Sequence, residues 1–356
     1  MSDSPTFDRR NLLKLGAAAA AGVAVGRLEG ATEALPSAPP ALPKGPQPQR
    51  PWNPVTPTAM PMRNLGKTGH RVGLFSLGGQ AAIEQPNNEA VAVPILERAI
   101  ELGVNYIDTA AAYGRPERWS ETYIGKVMKR HRDKVFLASK THDRTSDGSM
   151  RNLEQSLKLL NTDHLDAWQV HNLMTIEQLD QITGKGGALE ALLKARDQKL
   201  VRFLGVTGHY EPKVLMEALR RFPFDTLLLS LNAADPHHLS FKQELLPYAV
   251  EREIGLIGMK IPSRGRLIAG WNPPPADQQR GPIKATRTGT LNIKEAMRYV
   301  LTLPVSTVIL GVDSIAQLEE DVAIARDFQP LTATQMAALE QRAEPVAQQA
   351  LWYRKW

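Results

Sequence analysis

Between residues 62 and 330 the chain alternates short apolar runs with longer amphipathic segments, and it does so eight times. Strand-like runs fall near 74–77, 106–108, 135–139, 165–170, 202–206, 226–231, 255–260 and 307–310. Helix-like segments fall at 89–102, 117–129, 150–160, 188–198, 212–221, 241–251, 292–303 and 314–328. In the first of these, apolar residues stand at 91, 95, 96, 99, 100 and 102, the spacing of a helix with one face to bury. Strands alternating with helices imply parallel βαβ units, each strand covered on both faces. Eight such units close into a (β/α)8 TIM barrel more readily than they extend an open sheet. A doubly wound fold is the competing arrangement, but no G-x-G-x-x-G opens the first helix. The sequence thus predicts an α/β chain with one barrel domain at 62–330 and a helical C-terminal tail at 331–356.

A barrel of this kind carries its chemistry at the C-terminal ends of the strands. The second predicted strand ends at Asp108 and runs on as DTAAAYG, which places Tyr113 five residues later. The third ends LASK at Lys140, and the fourth ends WQVHN at His171. Taken singly, each has an ordinary structural reading: a loop cap, a packing ring, a solvated lysine, a satisfied buried histidine. Together they face one mouth and suit carbonyl reduction, which needs hydride at carbon and a proton at oxygen. A tyrosine can give that proton, but its ordinary pKa is near 10. An adjacent ammonium favours phenolate and lowers that value. A carboxylate keeps the ammonium charged and oriented, and an imidazole can hydrogen-bond the substrate oxygen.

Cysteine is absent, which excludes disulfides, thiolate metal sites and a cysteine nucleophile. The 43 basic and 37 acidic residues are scattered, with no basic stripe, so no nucleic-acid partner is expected. The adjacent His237 and His238 read as loop caps, and no metal site is expected.

The first 35 residues read as an address. Arg9 and Arg10 are followed by Leu12, Leu13 and Lys14, then by a small-residue apolar stretch over 15–25. This layout resembles a twin-arginine secretory signal and is shorter than the roughly 20 apolar residues of a membrane span. An ordinary amphipathic helix is the alternative reading. Residues 36–61 are dense in proline and read as an extended linker. The expected partner is therefore the twin-arginine export machinery, and the expected location is periplasmic or otherwise extracytoplasmic. No stable membrane span is expected in the mature form.

Over 62–330 the chain resembles the aldo-keto reductase family. The resemblance lies in DTAAAYG, LASK and QVHN, supported by SETYIGK (120–126), KLVRFLGVTGH (199–209) and VILGVDSIAQLEED (308–321). It implies NAD(P)H-dependent reduction of a small-molecule aldehyde or ketone. Tyr113 would be the general acid, Lys140 would lower its pKa, Asp108 would pair with Lys140, and His171 would orient the carbonyl. The implied cofactor residues are Asn172, Thr207, Met259, Lys260, Arg264, Gly311, Gln317, Glu320 and Asp321, with Arg266 as a further cation. Trp119 and His142 would face the substrate. Three departures stand out: Gly208 replaces an expected Asn, Leu228 an expected Gln, and Asp313 a small polar or basic residue that meets a 2′-phosphate. The cofactor is accordingly NADP(H) or NAD(H). The altered residues at 208 and 228 also motivate a second reading: a cofactor-binding redox sensor or partner-regulating module with negligible turnover.

Overall fold

Alternation along the strands decides which residues meet inside the molecule, because successive side chains of a strand point to opposite faces. The protein is described by a computed structural model over Met60–Trp356. The twin-arginine segment and the proline-rich stretch through residue 59 lie outside the described residues. Eight parallel strands close into a barrel in the order β10-β3-β4-β5-β6-β7-β8-β9. They are β3 (Phe75–Gly78), β4 (Tyr106–Asp108), β5 (Phe136–Thr141), β6 (Leu165–Val170), β7 (Val201–Gly208), β8 (Thr226–Ser230), β9 (Gly255–Met259) and β10 (Thr307–Leu310). This is the (β/α)8 architecture that the alternation predicts.

Two apolar layers follow from the alternation. Outside the strands, residues such as Ile107, Leu137, Trp168 and Leu204 pack against the helices in one large buried cluster. Inside, Tyr106, Phe136, Ala138, Ala167, Leu228, Ile257 and Ile309 form a second, smaller cluster. There Phe136 stacks between Tyr106 and Phe203, with ring centroids 5.0 and 6.0 Å apart. Continuing the inward set by two residues reaches Asp108, Lys140 and Gln169, the polar layer above this plug.

The helices α1 (Glu89–Glu101), α2 (Trp119–His131) and α3 (Ser146–Leu160) follow β3, β4 and β5. Helix α3 begins four residues before its apolar periodicity does. The Thr145 side chain accepts from the Gly148 N–H at 3.1 Å, so a polar first turn is capped without any hydrophobic signal. Two helices follow β6, namely α4 (Ile176–Thr183) and α5 (Ala188–Asp197). The first was not predicted: it buries only Leu179 and Ile182 and is started by Thr175, which accepts from the Gln178 N–H. After α6 (Pro212–Arg221) comes α7 (Leu245–Glu251), shorter than the predicted 241–251. The Asp235 carboxylate takes the N–H groups of Phe241 and Lys242, each at 3.1 Å, and holds that stretch out of the helix.

Helices α8 (Ile293–Thr302) and α9 (Ile315–Arg326) flank β10, and α10 (Ala333–Ala343) and α11 (Ala347–Ala350) lie beyond. The last residues are tied down by a fully buried ion pair between Arg354 and Asp235. An antiparallel pair, β1 (Met62–Asn64) with β2 (Arg71–Gly73), precedes the barrel. Its turn residue Lys67 donates to the Glu253 carbonyl at 3.0 Å, and its Leu65 and Val72 join the inner cluster. The pair therefore closes the end of the barrel where the strands begin. Among the described residues no helix is long and apolar enough to cross a membrane.

Candidate active site

The four predicted strand-end residues come together at the opposite, C-terminal mouth. Lys140 is buried at the tip of β5, and its Nζ donates to Asp108 Oδ2 and, at 2.7 Å, to the Thr109 carbonyl. The second Asp108 oxygen accepts from Gln169 Nε2 at 3.2 Å. The ammonium lies 5.0 Å from the centroid of the Tyr113 ring and acts on its phenol. The His171 ring stands edge-on to Tyr113, at 82° with centroids 5.6 Å apart. The loop that returns Tyr113 over the mouth is a tight turn. Tyr113 N–H donates to the Ala110 carbonyl at 3.0 Å, and Gly114 follows at φ +70°, where a Cβ would meet the Glu84 carbonyl and Trp119 at 2.7 Å.

Burial and charge set the protonation states. Burial pushes the Tyr113 phenol up, and Lys140 pulls it only part of the way back, with Asp108 and Glu84 opposing. Lys140 therefore acts in the expected direction, but burial outweighs it and the net direction is upward. The phenol is thus fully protonated near neutral pH, the form a proton donor needs. Burial drives the Lys140 ammonium down, but Asp108 and then Tyr113 together more than compensate, and the lysine stays charged. Burial, then Lys140, hold His171 well below the ordinary imidazole range, so it is neutral. Burial and Arg264 bring Lys260 down to about 7.

A cavity of about 720 Å³ leads away from Asp108 and Tyr113. Its walls come from the ends of β9, β10 and β3 and from the first turns of α9. Met259, Lys260, Arg264, Gly311, Gln317, Glu320 and Asp321 all line it, as do Leu228 and Asp313. Two side chains along it suit a charged, hydroxyl-bearing ligand: Lys260, whose amine bonds no other described residue, and Asp321, whose largely buried carboxyl has no donor among the described residues. A nicotinamide dinucleotide fits this cavity by size, by its head at Tyr113 and by these unmatched groups.

Other predicted residues are placed differently. Thr207 is buried, and its hydroxyl accepts the Asn172 N–H at 2.8 Å. Asn172 carries a buried Oδ1 with no partner, but neither residue lines the cavity. Trp119 stacks on Tyr123 at 5.6 Å and packs against the core, so it is a packing residue rather than a cavity wall. Arg266 is also corrected: its guanidinium donates to the carbonyls of Ile283 at 2.7 Å and Arg280 at 2.8 Å, bracing the loop after β9. His142 lies one residue beyond β5, half-buried, held down at about 4 by burial and by Arg115 and Arg118. His237 and His238 pin the tail, donating to the carbonyls of Glu340 and Lys355.

Gly208 has a packing explanation. A Cβ there would lie 2.9 Å from the Leu173 carbonyl and 3.0 Å from Leu215, so no amide side chain fits at this site. Sequence reasoning missed Gln169, although it stands in the inward register between Ala167 and His171. It also missed Glu84, which pairs with Arg264 at 3.4 Å and Arg280 at 3.6 Å. The lining residues Ile268 and Trp271 were missed because their loop has no periodicity to read.

A closed eight-stranded barrel with a tyrosine, a lysine–carboxylate pair and a histidine at its C-terminal mouth defines an oxidoreductase of the aldo-keto reductase type. Residues 71–344 match the profile of the aldo/keto reductase family, and the chain belongs to that family. Among curated proteins it is 26% identical to the uncharacterized oxidoreductase YqkF of Bacillus subtilis over 79% of this chain and 96% of that protein. It is 27% identical to the L-galactose dehydrogenase of Arabidopsis thaliana over 81% of this chain and 96% of that one. Among solved structures, the holo form of aldo-keto reductase AKR11C1 from Bacillus halodurans shares the fold, with a TM-score of 0.65 and 23% identity, covering 80% of this chain and 96% of that one.

Proposed function

We propose that this oxidoreductase reduces an aldehyde or ketone with NAD(P)H, and that Tyr113 is the proton donor. The single observation that carries this reading is the buried Asp108–Lys140 pair set against a protonated phenol at the head of the cavity. When bound, the dinucleotide supplies hydride to the carbonyl carbon. The Tyr113 phenol gives its proton to the carbonyl oxygen, and Lys140 neutralises the phenolate left behind. Asp108 and Gln169 keep that ammonium aimed, and the neutral His171 can donate to the same oxygen and polarise it. The similarity to an L-galactose dehydrogenase supports a hydroxylated, sugar-like substrate, with the same groups working in reverse on an alcohol.

The test is oxidation of NADH and NADPH by purified protein across a panel of aldehydes, ketones and aldoses. Carbonyl-dependent oxidation is expected for at least one class. Dinucleotide binding without turnover across the whole panel would favour the sensor reading instead.

We also propose that Arg9 and Arg10 direct twin-arginine export to an extracytoplasmic location. The adjoining small-residue apolar stretch and the absence of cysteine support this. Fractionation of cells carrying Arg9→Lys/Arg10→Lys is expected to show retention in the cytoplasm. Undiminished extracytoplasmic recovery would refute it.

A further inference from the structure

We propose that the far end of the cavity selects a dinucleotide whose second ribose bears no phosphate, so that the protein uses NADH in preference to NADPH. This rests on the reading above, in which the cavity holds a nicotinamide dinucleotide with its reacting ring beside Tyr113. The other nucleoside then lies at the opposite end, against the β10–α9 turn and the first turns of α9.

That end is acidic. Asp313, Glu320 and Asp321 line it, and among the described residues no lysine or arginine does. The two cations that line the cavity belong near its catalytic head, since Lys260 acts on Asp108 and Arg264 on Tyr113. Asp321 is the most telling of the three. It is only 5% exposed, yet among the described residues it accepts no hydrogen bond and pairs with no cation. Burial, and then the charge of Glu320, push its carboxyl up to about 7. Facing the cavity without a donor from a described side chain, this carboxyl is free to take one from a ligand. The turn that presents Asp313 is fixed by its own N–H, which donates to Gln317 Oε1 at 2.8 Å.

An unmodified ribose offers two hydroxyl donors and adenine offers an amine, all complementary to carboxylates. A 2′-phosphate offers acceptors only and adds a charge of about −1.5 to −2 near neutral pH, as other phosphate monoesters do. The N-terminus of α9 taken alone would attract that phosphate. However, its Gln317 N–H is already taken by the Ser314 hydroxyl at 3.3 Å, and Asp313, Glu320 and Asp321 line the same cavity.

The experiment is equilibrium titration of the full chain, followed by quenching of tryptophan fluorescence, with four probes: NADH, NADPH, ADP-ribose and 2′-phospho-ADP-ribose. NADH is expected to bind at least about tenfold tighter than NADPH. The same preference is expected between the two nicotinamide-free probes, because the selection resides at the far end. In the double variant Asp313→Asn/Glu320→Gln the preference is expected to narrow at least about threefold, through tighter NADPH binding. Both residues are exposed, so the fold is expected to persist. NADPH binding as tightly as NADH, or a ratio unchanged in the double variant, would overturn the inference and leave the dinucleotide reading intact. Failure of every probe to bind would overturn both.

Discussion

The two ends of the cavity treat buried charge in opposite ways. At the catalytic head, Asp108 and Lys140 are both buried and satisfy each other, with Gln169 and the Thr109 carbonyl taking up what remains. At the far end, Asp321 is almost as buried and has no donor among the described residues. Removing a charge from water is costly unless a partner replaces the lost hydration. The head meets that requirement within the chain and is preorganised before any ligand arrives. At the far end no described side chain meets it and the carboxyl opens only to the cavity, so a ligand that brings donors relieves part of a burial cost already present in the fold.

The largest expected effect breaks the self-satisfied end. Lys140→Met strands Asp108 in the barrel interior, and such single-partner removals cost roughly 3–5 kcal/mol. Urea unfolding at neutral pH is expected to show a loss of that size, together with loss of turnover. A loss below about 1 kcal/mol would mean that the head does not depend on its pair.

The unsatisfied end predicts the opposite sign. The Asp321 carboxyl titrates at about 7 in the fold against an ordinary 3.8, so the native state holds its proton more firmly than the unfolded chain does. Stability therefore falls as pH rises from about 4 to about 7, by at most about 4 kcal/mol. Asp321→Asn is expected to raise the melting temperature at pH 8 and to change it little at pH 4. An equal shift at both values would contradict the assignment.

Smaller effects sharpen the contrast. Gly208→Asn would force an amide against the Leu173 carbonyl and Leu215, and overpacking of this kind costs about 1–3 kcal/mol. Its loss of stability is expected to be read directly in chemical denaturation. Asp313→Asn/Glu320→Gln changes exposed groups and is expected to move stability by no more than about 0.5 kcal/mol, the range for surface sites. A larger change would show that these carboxylates brace the fold.

The barrel was legible because each strand is a short apolar run and most helices carry a period to read. Helix α4 and the β1–β2 pair were not, since α4 buries two side chains and β1 buries none, leaving no apolar run to read. The tetrad was legible from strand-end position alone, because the barrel makes those ends converge. That burial outweighs Lys140 at the Tyr113 phenol was not, as it depends on how deeply the ring is buried. Nor was the wall formed by Ile268 and Trp271. Their loop is held from far along the chain, where Gln349 Nε2 donates to the carbonyls of Arg266 and Arg287, each at 2.9 Å.

The central claim is most directly tested by single-turnover hydride transfer to a reactive aldehyde, comparing wild type with Tyr113→Phe while NADH affinity is measured in parallel. The transfer rate of the variant is expected to be lower by roughly 10²–10⁴-fold with affinity preserved. A variant that transfers hydride at the wild-type rate would contradict it.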